Sequence, residues 1–198
     1  TAMVPLFSIE ARDWSAPDPE AFDAVLMTSA NAAGEAGAAL APFTRLPVYA
    51  VGEATGRAAR GAGFGDVVIG AGTSGDAAHR LRADGRRRVL HLAGEEVRDF
   101  DGTELEVTRI AVYASVPTAA EGLEQALAGA PIALVHSPRA GGRFAELCDE
   151  RGIPRQAIAL VAISAAALAE AGANWRVAAA AAQPNDAAML AAAAGLAG

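Results

Sequence analysis

The sequence repeats itself at a spacing of about 110 residues, and the repeat has the grammar of a strand followed by a helix. The apolar run Ala24-Val-Leu-Met-Thr-Ser-Ala-Asn31 ends in a small hydroxyl-bearing turn, and so does Ile132-Ala-Leu-Val-His-Ser-Pro-Arg139. Val48-Tyr-Ala-Val-Gly-Glu-Ala-Thr55 is echoed by Ile158-Ala-Leu-Val-Ala-Ile-Ser-Ala165, and Ser74-Gly-Asp-Ala-Ala78 by Pro184-Asn-Asp-Ala-Ala188. The offsets from Ser29 to Ser137, Val51 to Ile163 and Asp76 to Asp186 are 108, 112 and 110, in one order. A chain built this way is expected to fold as two similar halves. Two halves that face each other make a cleft, and ligands tend to bind between domains.

Strand signals of four to six apolar residues recur at 24–27, 47–51, 66–69, 89–92, 132–135, 158–163 and 175–179. Alanine-rich stretches with helical spacing lie between them, such as Thr55–Gly63 and Ala165–Gly172, and end in glycine. Strands alternating with helices predict parallel βαβ units and an open, doubly wound α/β sheet in each half. Two more strand-like segments, Leu6–Ile9 and Ile110–Tyr113, flank the first half and are expected to run side by side as a two-stranded β connector. The reading therefore places a first domain at about 10–110, a second at about 116–198, and connector segments at 4–9 and 109–115. The second half shows three strand signals against four in the first, with no counterpart of Val89–Leu92. An additional strand and helix, supplied from upstream of Thr1, are expected to complete it.

At 198 residues the chain can bury the cores of two small domains. No apolar run approaches the roughly 20 large residues of a membrane span, and the start does not resemble a signal peptide. With a lone Cys148, which cannot form an internal disulfide, this predicts a cytoplasmic protein. The formal charge is −7 and the only basic cluster is Arg86-Arg87-Arg88, so neither nucleic acid nor membrane is an expected partner. All sixteen cationic side chains are arginine. The absence of lysine excludes a Schiff base, a pyridoxal phosphate anchor and a Walker-type phosphate loop. His79, His91 and His136 have no carboxylate or thiol neighbours at ligand spacing, so they read as surface or strand-end residues and no metal site is expected.

Gly70-Ala-Gly-Thr-Ser-Gly75 matches the dinucleotide-binding pattern, follows a strand signal, and has Glu95 twenty residues beyond its last glycine. The cognate loop of the second half, Gln183-Pro-Asn-Asp186, has no glycine. The shared element is then a helix start, with Ser74 or Asp76 as its cap. The turns at Thr28-Ser29-Ala30-Asn31 and His136-Ser137-Pro138-Arg139 fall just past the carboxyl ends of strands, where open α/β sheets bind ligands. Their hydroxyls suit helix caps. Their repetition beside Gly52-Glu53-Ala54-Thr55 and Ser164-Ala165-Ala166 also suits a lined cleft whose backbone N–H groups meet anions. Tyr49 lies within a core strand and reads as structural.

Taken in order, these pieces resemble the uroporphyrinogen-III synthase family. The resemblance is carried by Pro5–Ile9, Val25–Asn31, Val48–Thr55 with Gly63-Phe64, Val89–Gly94, Val112-Tyr113, His136–Pro138 and Pro184–Leu190. It implies two similar α/β domains on a two-stranded connector, with the chain's first strand and helix completing the domain of the C-terminal half. It also implies a cofactor-free lyase of tetrapyrrole biosynthesis. Such an enzyme cyclises the linear tetrapyrrole hydroxymethylbilane to uroporphyrinogen III with loss of water and inversion of the last ring. Tyr113 maps onto the family's tyrosine as the candidate catalytic acid, since a phenol keeps its proton at neutral pH and can hydrogen-bond a departing hydroxyl. The implied substrate-binding residues are Thr28, Ser29, Asn31, Gly52, Glu53, Ala54, Thr55, Ser137, Arg139, Ser164, Ala165 and Ala166. Alanines at 165 and 166 stand where the family often has threonine, and the stretch from Gly94 to Thr108 is short for the helix expected there. The substrate is a polycarboxylate while the chain is acidic, so binding falls to local donors, with Arg57, Arg139 and Arg143 as candidates. A monomer is expected. The alternatives are an NAD-dependent oxidoreductase using Gly70–Gly75 and a non-catalytic two-lobed ligand-binding module.

Overall fold

Successive side chains of a strand point to opposite faces, so a strand buried at every position must carry cover on both sides. In the computed structural model, which describes residues 2–96, 102, 104–129 and 131–197, that condition holds at β2 (Ala24–Met27), where all four residues are buried. It is one of the inner strands of a six-stranded sheet ordered β1-β6-β5-β2-β3-β4. Its companions are β1 (Phe7–Ala11), β3 (Val48–Ala50), β4 (Val67–Ile69), β5 (Arg88–Gly94) and β6 (Glu106–Pro117). Strands β4, β3, β2, β5 and β6 run parallel. β1 opposes β6: Arg12 N–H donates to the Val112 carbonyl at 2.9 Å and Thr118 N–H to that of Leu6 at 3.0 Å, so rising numbers face falling ones.

The two faces have separate cores. Val25, Met27, Val48, Leu90 and Leu92 pack with Phe43 and Phe64 and with alanines of α1 (Ala30–Glu35) and α2 (Glu53–Gly61). Ala24, Leu26, Tyr49 and Val89 point the other way and meet Ala77 and Leu81 of α3 (Ser74–Ala83). Helices on both faces make this a doubly wound sheet. The chain steps outward from β2 through β3 to β4 and then returns to β5 on the other side of β2. The topological switch point therefore lies between the carboxyl ends of β2 and β5.

Contacts divide the chain into one unit of 8–116 and another of 1–7 with 117–198. The second unit holds a parallel sheet ordered β7-β8-β9, from β7 (Ile132–Val135), β8 (Ala159–Ala162) and β9 (Val177–Ala180). A short helix, α4 (Leu123–Ala126), precedes it. Its main core joins Val135, Leu160 and Ala162 to Phe144, Leu147 and Cys148 of α5 (Pro138–Glu150) and to Ala167 and Ala171 of α6 (Ala165–Ala171). Phe144 stacks on Trp175 with ring centres 5.3 Å apart. Ala159 and Val161 alternate with those core residues and are equally buried, and α7 (Asp186–Ala197) packs on all three strands with Met189 inside.

The repeat of the sequence is thus three strand–helix units in each part: β2-α1, β3-α2 and β4-α3 against β7-α5, β8-α6 and β9-α7. Thr73, rather than Ser74 or Asp76, caps α3, its hydroxyl accepting from Asp76 N–H at 3.1 Å. Asn185 plays that part for α7, accepting from Ala188 N–H at 2.9 Å. The flanking segments pair as β1 and β6, and β6 continues to Pro117 because β5 lines one of its edges and β1 the other. Of the stretch from Gly94 to Thr108, where a helix is expected, residues 97–101 and 103 lie outside the described residues.

Candidate functional site

The carboxyl end of the six-stranded sheet collects the predicted residues of the first repeat. Thr28 and Ser29 follow β2, and Ser29 caps α1 by accepting from Asn31 N–H at 3.2 Å. Gly52 occupies the cap of α2 in an extended conformation that leaves the first N–H groups uncovered by any side chain. Glu53 and Ala54 are exposed in the first turn, whereas Thr55 is only 5% exposed and turns toward the sheet. A nine-residue helix opening on a bare glycine offers backbone donors to an anion.

Across the switch point, β5 contributes residues that sequence reasoning passed over. His91 is neither a surface nor a strand-end residue: it is 1% exposed in the middle of β5. Its Nε2 lies 3.3 Å from the Thr28 hydroxyl. Burial first, and the nearby Arg109 second, push its pKa down to about 4, so the ring is neutral at physiological pH. Leu90 and Leu92, alternating with His91 in a strand covered on both faces, were the signal that it is interior.

At the end of β5 stands Gly94, in register with Tyr113 of β6 after an irregularity between Ala93 and Gly94. The phenol ring lies directly over this glycine. A β-carbon there would come within 2.9 Å of Tyr113 Cε2 and Cζ and 3.1 Å of its Oη. The ring is half-buried against the core containing Leu90 and Leu92. Among the described residues its hydroxyl has no hydrogen-bond partner, which leaves it able to donate to a ligand. Glu95 N–H donates to the Tyr113 carbonyl at 2.9 Å, and the Glu95 carboxylate holds Arg12 Nε at 2.7 Å. Gly94 and His91 on β5, Thr28 just past the end of β2 and Tyr113 on the neighbouring β6 therefore all belong to the surroundings of the switch point.

The three-stranded sheet presents a cognate row. Ser137 caps α5, accepting from Ala140 N–H at 3.0 Å, and Ser164 caps α6, accepting from Ala167 N–H at 3.2 Å. His136 Nε2 is 3.3 Å from Asp186 in the first turn of α7. Ala165 and Ala166 are exposed in the first turn of α6. Arg139 lies 4.4 Å over the Phe7 ring. Arg143 is engaged by Glu146 at 3.2 Å and Glu150 at 3.1 Å along its own helix, while Arg57 is exposed on α2. An open hollow lined by Cys148, Gly152, Pro154 and Asn174 lies at the amino-terminal end of β8, away from this row.

Gly70–Gly75 follows β4, the outermost strand of its sheet, and not a strand at the switch point. It serves as the approach to the Thr73 cap. Among the described residues no cluster of three or more His, Cys, Asp or Glu could hold a metal ion, and no helix is long and apolar enough to cross a membrane.

A family profile described as uroporphyrinogen-III synthase HemD matches residues 1–191. The chain is similar to the crystal structure of uroporphyrinogen-III synthetase from Helicobacter pylori, with a TM-score of 0.72 at 19% identity, covering 96% of this chain and 91% of that one. It is similar also to a mutant uroporphyrinogen III synthase from Thermus thermophilus, with a TM-score of 0.51 at 18% identity over 96% and 86% of the two chains. At such identities the likeness is one of fold. A probable translation initiation factor IF-2 from Thermofilum pendens is 37% identical over 86 residues, 43% of this chain. That stretch is 14% of the relative's own length, and nothing of its activity is carried over.

Proposed function

The chain belongs to the uroporphyrinogen-III synthase family, an enzyme family of tetrapyrrole biosynthesis, and from that premise we propose that it is a lyase that closes hydroxymethylbilane to uroporphyrinogen III. The terminal hydroxyl leaves as water, taking the proton it needs, and the remaining carbon becomes the electrophilic end of an azafulvene. Closure at the substituted carbon of the last ring gives a spiro intermediate. Its fragmentation and reclosure leave that ring inverted. Since the unassisted reaction closes without inversion, the protein's work is mostly conformational: it holds the chain folded so that the substituted carbon is the one attacked.

The observation that carries this reading at the residue level is the seat of Tyr113. Its ring lies over Gly94 at the carboxyl end of β5, one of the two strands flanking the switch point where ligands of open α/β sheets bind, and a phenol O–H can hydrogen-bond a departing hydroxyl. Thr28, Ser29, Asn31 and Gly52–Thr55 form one proposed binding row, and Ser137, Arg139 and Ser164–Ala166 another. Backbone N–H groups at Gly52 and Ser137, with Arg57 and Arg139, are the proposed partners of substrate carboxylates. The reading requires no cofactor. It describes a cytoplasmic monomer that takes no nucleic acid or membrane partner, in keeping with the net charge of −7 and the buried thiol of Cys148. The alternatives draw no support from the edge position of Gly70–Gly75.

Following the disappearance of hydroxymethylbilane tests the proposal. The wild-type protein is expected to consume it well above its spontaneous rate, and Tyr113→Phe to slow that rate by about 10- to 1000-fold at nearly unchanged thermal stability. Consumption at the spontaneous rate contradicts the proposed activity. Full activity in the Phe variant assigns Tyr113 to packing alone.

A further inference from the structure

We propose that Gly94 is a positioning residue of this enzyme, the bare backbone on which the Tyr113 phenol is seated; the inference rests on the function proposed above. Glycine inside a buried strand costs stability, because it packs no side chain and loses more backbone freedom on folding than any other residue. Its retention at the end of β5 calls for a reason in space. Backbone conformation supplies none, since Gly94 is not among the positive-φ glycines. The reason is the ring: a single methyl group would sit 2.9 Å from Cε2 and Cζ of Tyr113 and 3.1 Å from Oη, well inside van der Waals contact. The contact involves the far half of the ring, the part that carries the hydroxyl. Alanine at this position moves the phenol rather than the sheet, because the ring is held to β6 only through two rotatable bonds.

Aromatic rings do cover cross-strand glycines as a purely packing device, and that role has a different signature. A packing role predicts equal damage whether residue 113 is Tyr or Phe, since both rings meet the methyl group. A positioning role predicts damage to turnover that needs the hydroxyl. The test is a double-mutant cycle in kcat and KM on Gly94→Ala, Tyr113→Phe and the pair, with hydroxymethylbilane as substrate. The expected result is a loss in kcat of about 10- to 100-fold for Gly94→Ala with KM within about threefold, and less than a further twofold loss when it is added to Tyr113→Phe. The chain has two tyrosines, Tyr49 and Tyr113, so ring-labelled protein reports the seat directly. The Tyr113 resonance is expected to move in Gly94→Ala while that of Tyr49 stays. If Gly94→Ala does not fold, magnetisation transfer between the Gly94 α-protons and the Tyr113 ring in wild-type protein decides whether the seat exists. Absence of that transfer, an unmoved resonance, or equal kcat losses in the Tyr and Phe backgrounds overturns the inference. Full kcat in Gly94→Ala beside an active wild type overturns it alone, whereas a wild type without turnover overturns the function on which it rests.

Discussion

A neutral histidine in a fully covered strand makes stability depend on pH in a definite direction. His91 titrates near 4 in the folded protein, against an ordinary value of 6.5. Between these values the unfolded chain takes up a proton that the folded chain refuses, so the folded state is favoured above pH 6.5 and loses ground as pH falls toward 4. The full span of that loss is roughly 3 kcal/mol. Denaturant unfolding from pH 7 to pH 4.5 is expected to show the decline, and His91→Gln, which cannot titrate, to flatten it. An identical slope in both proteins would assign the decline to other groups. Asp23, held down to about 2 chiefly by its hydrogen bonds to Arg88, acts only below about 3.8 and is separable from it. Residue roles were the least legible part of the sequence. Ser29, Ser137 and Ser164 could be recognised as cap-forming types, because a cap is a local property. The proximity of Tyr113 to Gly94 and of Thr28 to His91 joins residues 19 and 63 positions apart, and only strand register creates it.

Between elements, small residues set how closely helices approach. On α5, a β-carbon at Gly141 would fall 2.5 Å from the Ala167 carbonyl oxygen and 3.3 Å from the Ala171 β-carbon on α6. The obstacle is backbone, which cannot rotate aside, unlike the ring above Gly94. Gly141→Ala is accordingly expected to cost about 2–3 kcal/mol through forced separation of the two helices, measured as a shift in the denaturation midpoint at constant slope. A neutral or stabilising effect, as expected of alanine for glycine in an open helix, would show that the helices part freely. Elements themselves were well legible. β2 and β7 span the residues that the apolar runs predict, since short buried runs bounded by turn residues admit little else. The cap of α3 was expected one or three residues too late, at Ser74 or Asp76, because Thr73, Ser74 and Asp76 are all good cap formers and the choice falls to loop geometry. The extent of β6 was understated because its polar outer positions, Glu106, Thr108 and Arg109, are exposed and break the apolar pattern.

Across the whole molecule, the internal repeat was the most informative feature of the sequence. It is realised as two rows of strand–turn–helix units in the same order, with Gly52 and Ser164, and Thr73 and Asn185, each 112 positions apart. The third echo is therefore two residues out from its alignment by Asp76 and Asp186. Net charge opposes general attraction of a polycarboxylate, so the binding proposed above falls to backbone donors and a few arginines. The most direct test of the proposed function is the isomer composition of the product as protein is titrated against a fixed amount of hydroxymethylbilane. Spontaneous closure yields isomer I and competes with the enzyme at every concentration. The fraction of uroporphyrinogen III is expected to rise with added protein until isomer I is almost absent; product that stays isomer I at all protein concentrations would contradict the proposed function.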